Sequence, residues 1–463
     1  GTAPVIVSPL SAEAKLGQMF SHTLLASGSK PVTFGVTGLP TALTFDGASA
    51  IKGAAVTAGS FPVTLTAVNA WGGTTQTLAL TVQDVVAPSN QLYWSQQPGL
   101  TASDGATYTY FGYSVSLSGN RLAVGAYYAN ASKGAVYVYD WDGESWAQSA
   151  VVTASDGTTS DSFARQVSLS GNRLIVGAQG KTIGTNSYQG AAYVFDWNGA
   201  TWVQKARLNA SGGLPSQYFG SSVSVSGNRA LVGAYYADSS KGTAYVFDWN
   251  GTNWSQSTKL TAADGAASDY FGYSVSLSGD RALVGAYYKT ISANSYQGAA
   301  YVFDRVSGTN WTQSARLTAS DGAASAYFGN SVSLSGNRVL VGAYGGNGGK
   351  GAAYIYDWSG SAWTQTGRLT ASDGVSGNNF GYSVSLNGDR ALVGAYYANS
   401  SMGAAYVFDR TGATWTQTAR LTASDGASGD YFGYSVSLDG NRAAVGAYYK
   451  ANSSGEAYIY DLS

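Results

Sequence analysis

Residues 110–128 read YFGYSVSLSGNRLAVGAYY, and close copies of this stretch return six more times before the chain ends at Ser463. Their phenylalanines, Phe111, Phe163, Phe219, Phe271, Phe328, Phe380 and Phe432, lie 52, 56, 52, 57, 52 and 52 residues apart. A repeat of roughly 40–50 residues or more, rich in short strands, predicts propeller blades. In the first unit the strand-like runs are FGYSVSLS, RLAVGAY, GAVYVYDW and SWAQSAVV, and the turn between the first two is usually Ser-Gly-Asn or Ser-Gly-Asp, a tight-hairpin signal. The first run alternates Phe111, Tyr113, Val115 and Leu117 with Gly112, Ser114, Ser116 and Ser118, so one face of the blade is bulky and the other thin. Neighbouring blades then nest bulky against thin, whereas a lone four-stranded blade has two faces to bury and can bury neither.

The number of blades follows from a mismatch at the ends of the array. The outer-strand mark Trp-x-Gln occurs at Trp94, Trp146, Trp202, Trp254, Trp311, Trp363 and Trp415; the first precedes the first Phe-Gly and none follows the last. The run LYWSQQPGL (92–100) is therefore read as an outer strand without a blade, and AYIYDLS (457–463) as the end of a blade without an outer strand. Joining them closes a seven-bladed ring and leaves no unpaired blade through which the array could aggregate.

Residues 1–84 hold no copy of the repeat. Their alternating runs QMFSHTLL, VTFGV, FPVTLTAVNA and QTLALTV, separated by turn formers, predict a small antiparallel sandwich. The stretch from Gly38 to Val82 resembles the Ig-like modules common in bacterial surface proteins, which implies an Ig-like β-sandwich without its disulfide. His22, the only histidine, lies in an alternating run and is read as a packing or edge residue. Residues 85–91 read as a linker stiffened by Pro88.

Each unit has an arginine just after its first hairpin and an aspartate at the end of its third strand. The pairs are Arg121 and Asp140, Arg173 and Asp196, Arg229 and Asp248, Arg281 and Asp304, Arg338 and Asp357, Arg390 and Asp409, Arg442 and Asp461. Because the second and third strands run antiparallel, these ends meet on one rim of the ring, and seven local structural ion pairs are expected there. The opposite rim carries two kinds of loop. One opens with Tyr-Tyr, whose second members are Tyr128, Tyr236, Tyr288, Tyr397 and Tyr449; the other carries Asp-Gly, as at Asp104, Asp264 and Asp425. The third unit departs, with Gly213 read in the aspartate's place. Aromatic faces among Asp, Asn and Ser have the chemistry of a sugar-binding surface, so these tyrosines and aspartates are the candidate ligand residues. The alternative is that one tyrosine of each pair packs inward and Asp-Gly only forms a turn. Two longer loops, KTIGTNSYQG (181–190) and KTISANSYQG (289–298), make this rim uneven.

Composition narrows the function classes. Charged residues make up 11 % and the formal net charge is −1, which offers no basic field to nucleic acid and no polybasic patch to a membrane. Without cysteine, and with one histidine, thiolate zinc sites, cysteine nucleophiles and histidine-based catalysis are excluded or nearly so. Neither a basic-then-apolar leader nor an apolar run of about 18 residues occurs, so no membrane insertion is expected.

The marks Phe-Gly and Val-Gly-Ala-Tyr, followed by Gly-Ala-x-Tyr-Val-Phe, resemble FG-GAP repeats, the units of the integrin alpha-chain propeller and of many bacterial exported proteins. The resemblance covers residues 92–463 and implies an extracellular, secreted or surface-displayed, non-catalytic propeller for adhesion or recognition. It also implies a calcium loop of Asp-x-Asp-x-Asp-Gly type in the first hairpin, but here that hairpin reads LSGNR, VSGNR, LSGDR, LNGDR or LDGNR. These offer one carboxylate at most, too few oxygens for a hard cation, so no cofactor is expected there; calcium on the Asp-Gly loops stays open. The expectation is an all-β chain with an Ig-like sandwich at 1–84 and a seven-bladed propeller at 92–463. Its expected function is to bind a glycan or a cell-surface protein through the loop face, without enzyme activity. The alternative is a structural subunit that self-associates through its N-terminal region into a filament or sheath.

Overall fold

The computed structural model describes residues 1–83 and 93–463; the linker expected over 85–91 lies outside the described residues. The chain divides into two units, Gly1–Leu92 and Tyr93–Ser463.

The N-terminal unit is a β-sandwich. One sheet orders Ser11–Lys15, Gly72–Gln83, Gly59–Asn69 and Thr33–Thr37, and the other orders Met19–Thr23, Ala50–Ala54 and Leu43–Phe45. Period-two alternation sends Val63, Leu65, Leu78 and Leu80 to a shared core with Ile51 and Leu24. The sandwich is not wholly antiparallel as expected, because Ser11–Lys15 runs parallel to Ala79–Gln83. Such a pair cannot be a hairpin, and most of the module forms its crossover. His22 is buried opposite Ile51 and stacks on Phe20 at 6.4 Å; burial lowers its pKa.

The second unit is a ring of seven four-stranded sheets. In the first blade the inner strand Ser114–Ser118 pairs with Arg121–Ala126, which pairs with Ala135–Trp141, which pairs with the outer strand Trp146–Val152. Ser118 faces Arg121 across a two-residue turn, and Gly119 at its first central position has φ +58°, the mark of a type II′ hairpin. The third and outer strands slip register between Val138 and Tyr139, and six blades carry this bulge at the same place. Trp94–Gln96 pairs antiparallel with Glu456–Leu462, Trp94 opposite Leu462, and so supplies the outer strand of the seventh blade. Phe111 of the first blade bridges Gly455 of the seventh, as each later phenylalanine from Phe219 onward bridges the glycine before the third strand of the preceding blade. The ring is therefore closed.

The phenylalanines are buried, and Phe111 meets Tyr137 edge-on at 5.4 Å beneath Val115, Leu117 and Leu122. The thin face does more than make room. Leu169 N–H donates to the Ser116 hydroxyl (2.9 Å), and the equivalent bond links every neighbouring pair of inner strands, including Leu117 N–H to Ser437 Oγ across the closure. The expected alternation breaks at its start. Gly112 turns the backbone with φ +85°, and Tyr113 leaves the packed face to line the central channel.

Candidate functional site

The seven Arg–Asp pairs occupy one rim. Arg121 Nε lies 2.6 Å from Asp140 Oδ1 while its Nη2 donates to Oδ2 (3.2 Å), and the other six pairs lie at 2.5–2.6 Å. They are not confined to one blade. Arg121 Nη1 donates to Asn172 in the next blade's hairpin (2.8 Å), Arg229 to Asp280 (2.5 Å), and Arg442 to Asn120 across the closure (3.2 Å). The Arg121 guanidinium also lies 5.0 Å from the Trp197 ring of the next blade. Each arginine is thus a strap between blades, largely buried and worth more than an exposed pair.

On the opposite rim the Asp-Gly loops are clamped. Tyr137 O–H donates to Asp104 (2.7 Å), Tyr301 to Asp264 (2.8 Å) and Tyr458 to Asp425 (2.8 Å); Tyr193, Tyr354 and Tyr406 hold Asp156, Asp321 and Asp373 in the same way. Arg316 lies 2.7 Å from Asp264, and Lys450 lies 3.1 Å from Asp425. Burial alone would raise the Asp264 pKa, but the bonds from Tyr301 and Arg316 and the charge of Lys289 outweigh it and lower it. In the third blade it is Gly212, not Gly213, that replaces the aspartate: Gly213 N–H donates to Ala210 O just as Gly105 N–H does to Ala102 O. The sequence agrees, since Gly212 lies seven residues before Phe219 as Asp104 lies seven before Phe111. The glutamine of Trp-x-Gln completes the clamp, Gln148 Oε1 accepting from Ser103 N–H, and the same bond recurs in all seven blades, with Gln96 serving Ser424.

The tyrosines converge on the channel mouth. Tyr128, Tyr236, Tyr397 and Tyr449 are exposed and Tyr288 is half-buried, while their partners Tyr127, Tyr235, Tyr287, Tyr396 and Tyr448 are half-buried. Between the pairs stand tyrosines that the sequence reading did not single out: Tyr110, Tyr218, Tyr270, Tyr327 and Tyr431, all with φ between +55° and +58°. Tyr110 stacks on Tyr127 (5.4 Å) and also meets Tyr128, Tyr448 and Tyr449, so it joins the first blade to the seventh. Tyr270 joins the third and fourth blades in the same way. Continuous with this belt is a cavity of about 610 Å³, lined by belt residues such as Tyr236, Tyr270 and Tyr288 and by Tyr113, Arg165, Tyr273, Tyr382 and Tyr434.

The FG-GAP repeat profile matches residues 94–139, 146–195, 202–247, 254–303, 311–356, 363–408 and 415–460, well over half of the chain. The chain belongs to the FG-GAP repeat family. Residues 3–83 match the family described as "Putative Ig domain". No curated protein matches the chain. Among solved structures, the β-propeller domain of the Trilobed protease from Pyrococcus furiosus is 12 % identical with a TM-score of 0.46, over 77 % of this chain and 97 % of that one. Sqt1 from Chaetomium thermophilum is 15 % identical with a TM-score of 0.43, over 74 % and 80 %. A candidate α-galactosidase/melibiase from Bacteroides fragilis is 30 % identical with a TM-score of 0.17, and this FG-GAP chain spans only 18 % of its length.

The two long loops of this FG-GAP chain extend the belt. Lys181 and Lys289 turn inward to Asp161 (2.9 Å) and Asp269 (2.8 Å), anchoring the loop bases, and Tyr188 and Tyr296 are exposed beside Tyr218 and Tyr327. Among the described residues no group of three or more His, Asp or Glu is placed to hold a metal ion. Also among them, no helix is long and apolar enough to cross a membrane.

Proposed function

We propose that this FG-GAP chain is a non-catalytic binding protein that works outside the cell, and that its tyrosine belt recognises a glycan. The observation that carries the reading is the belt itself, in which the pairs whose second members are Tyr128, Tyr236, Tyr288, Tyr397 and Tyr449 are interleaved with Tyr110, Tyr270 and Tyr431 around an open cavity. Aromatic faces accept the C–H side of a pyranose, and the phenol hydroxyls and nearby amides are partners for its hydroxyls. Packing alone does not ask for such a surface, since four of the five second-position tyrosines stay exposed. The carboxylates Asp104, Asp264 and Asp425 serve as loop clamps in this reading, and shape the mouth without touching the ligand.

The test is a glycan-array screen of the intact chain with and without calcium, repeated after changing the five second-position tyrosines to Ala. Binding by the wild type that the folded variant loses is the expected result. A wild type that binds no glycan in either condition would overturn the reading in favour of a protein partner. Concentration-dependent polymers in light scattering would instead favour self-assembly through the N-terminal unit.

A further inference from the structure

The second residue after each repeat phenylalanine points into the channel, and around the ring these positions read Tyr113, Arg165, Ser221, Tyr273, Asn330, Tyr382 and Tyr434. Six are neutral and one is a cation. Among the described residues, Arg165 is the only charged side chain lining the cavity. Every other arginine of the chain forms an ion pair with an aspartate, but Arg165 has no carboxylate and no side-chain hydrogen-bond acceptor among the described residues. Its guanidinium is held only by aromatic faces, 5.2 Å from the Tyr113 ring centre and 5.5 Å from that of Tyr127.

A guanidinium drawn out of bulk water without a counter-charge is unfavourable, and two tyrosine faces offset only part of that penalty. Packing does not require it, because tyrosine fills the same position in four other blades. Its surroundings are already arranged for an acceptor. Tyr382 O–H donates to Tyr434 (3.0 Å) and Tyr434 O–H to Tyr113 (2.9 Å), so this chain of phenols ends beside Arg165 and leaves the Tyr113 O–H without an acceptor among the described residues. Gln166 and Gln179 line the same wall.

We infer that Arg165 makes the central channel a binding site for a monoanionic carboxylate, such as the acid group of a uronic acid entering through the mouth. A single guanidinium balances one negative charge and matches a carboxylate with two parallel N–H bonds, whereas a phosphate dianion would leave a charge uncompensated. The cavity of about 610 Å³ lies within the usual range for a small-ligand site. The inference goes deeper into the molecule than the belt and can stand if the belt reading fails.

The experiment is calorimetric titration of the full chain at low ionic strength with sodium galacturonate, galactose and inorganic phosphate, using wild type, Arg165→Tyr, and a variant with Tyr128, Tyr397 and Tyr449, the mouth tyrosines that do not line the cavity, changed to Ala. Galacturonate is expected to bind at least about tenfold tighter than galactose, to weaken with added salt, and to lose that advantage in Arg165→Tyr. Arg165→Tyr should melt at or above the wild-type temperature, since it removes an unpaired charge. That mouth variant should keep galacturonate binding while weakening any glycan found on the array, which separates the two sites. Galacturonate binding that Arg165→Tyr retains, equal affinity for galactose, or tighter binding of phosphate would each overturn the assignment.

Discussion

At Gly125 an added Cβ would sit 2.2 Å from the carbonyl oxygen of Ala164 in the next blade. That neighbour is backbone, so it cannot swing aside, and Val-Gly-Ala recurs because the second strand of each blade passes this close to the next. Gly125→Ala is expected to destabilise the propeller by about 2 kcal/mol or more, read as a lower urea midpoint at unchanged slope. His22 gives a second residue-scale prediction. Burial lowers its pKa, so the folded state favours the neutral ring. The stability it contributes is fully present above the unfolded pKa of about 6.5 and is lost as pH falls below it. As the only histidine, it gives a single imidazole Cε1–H NMR resonance, whose titration midpoint should lie below 6.5. The packing role of His22 could be read from alternation alone. Arg165 is visible in the sequence as a departure from its repeat, yet its place in the channel is not, because Tyr113 and its equivalents looked like packed residues. The φ of +85° at Gly112 sends them to the channel, and no hydrophobic pattern encodes that turn.

Among elements, the loop entering each blade is fastened by a glutamine, in six of the seven also by a tyrosine hydroxyl, and usually by a cation. Tyr301→Phe removes the bond to Asp264 while keeping the ring, and leaves Arg316 and Lys289 as its partners. A loss of about 1 kcal/mol is expected, with faster amide exchange confined to residues 261–269. The rim of Arg–Asp pairs was legible because antiparallel register brings the start of one strand to the end of the next. The second bond of each arginine, into the neighbouring hairpin, was not, because the sequence does not say which side chains of adjacent blades meet. The tyrosine belt was half legible for the same reason. Tyr127 and Tyr128 stand out as a pair, whereas Tyr110 joins them only through a positive φ and contacts from two blades.

For the whole molecule, seven blades close because a strand from one end completes the blade at the other. Closure was the most legible global feature, since the count of Trp-x-Gln marks and their offset from the phenylalanines contain it. A chain of residues 93–463 is therefore expected to fold as a monomeric propeller. One of residues 99–463 lacks Trp94–Gln96, exposes the edge of Glu456–Leu462, and should melt lower and associate through that edge, as light scattering would report. Closure also gathers tyrosines onto one mouth, where recognition is proposed to take place. The most direct measurement of it is the hydrogen-exchange footprint of the intact chain with and without the tightest array ligand. Protection should fall on the loops around residues 107–113, 235–242, 268–273 and 287–298, with the Arg–Asp rim unchanged. Protection confined to that rim or to the N-terminal unit would contradict the account.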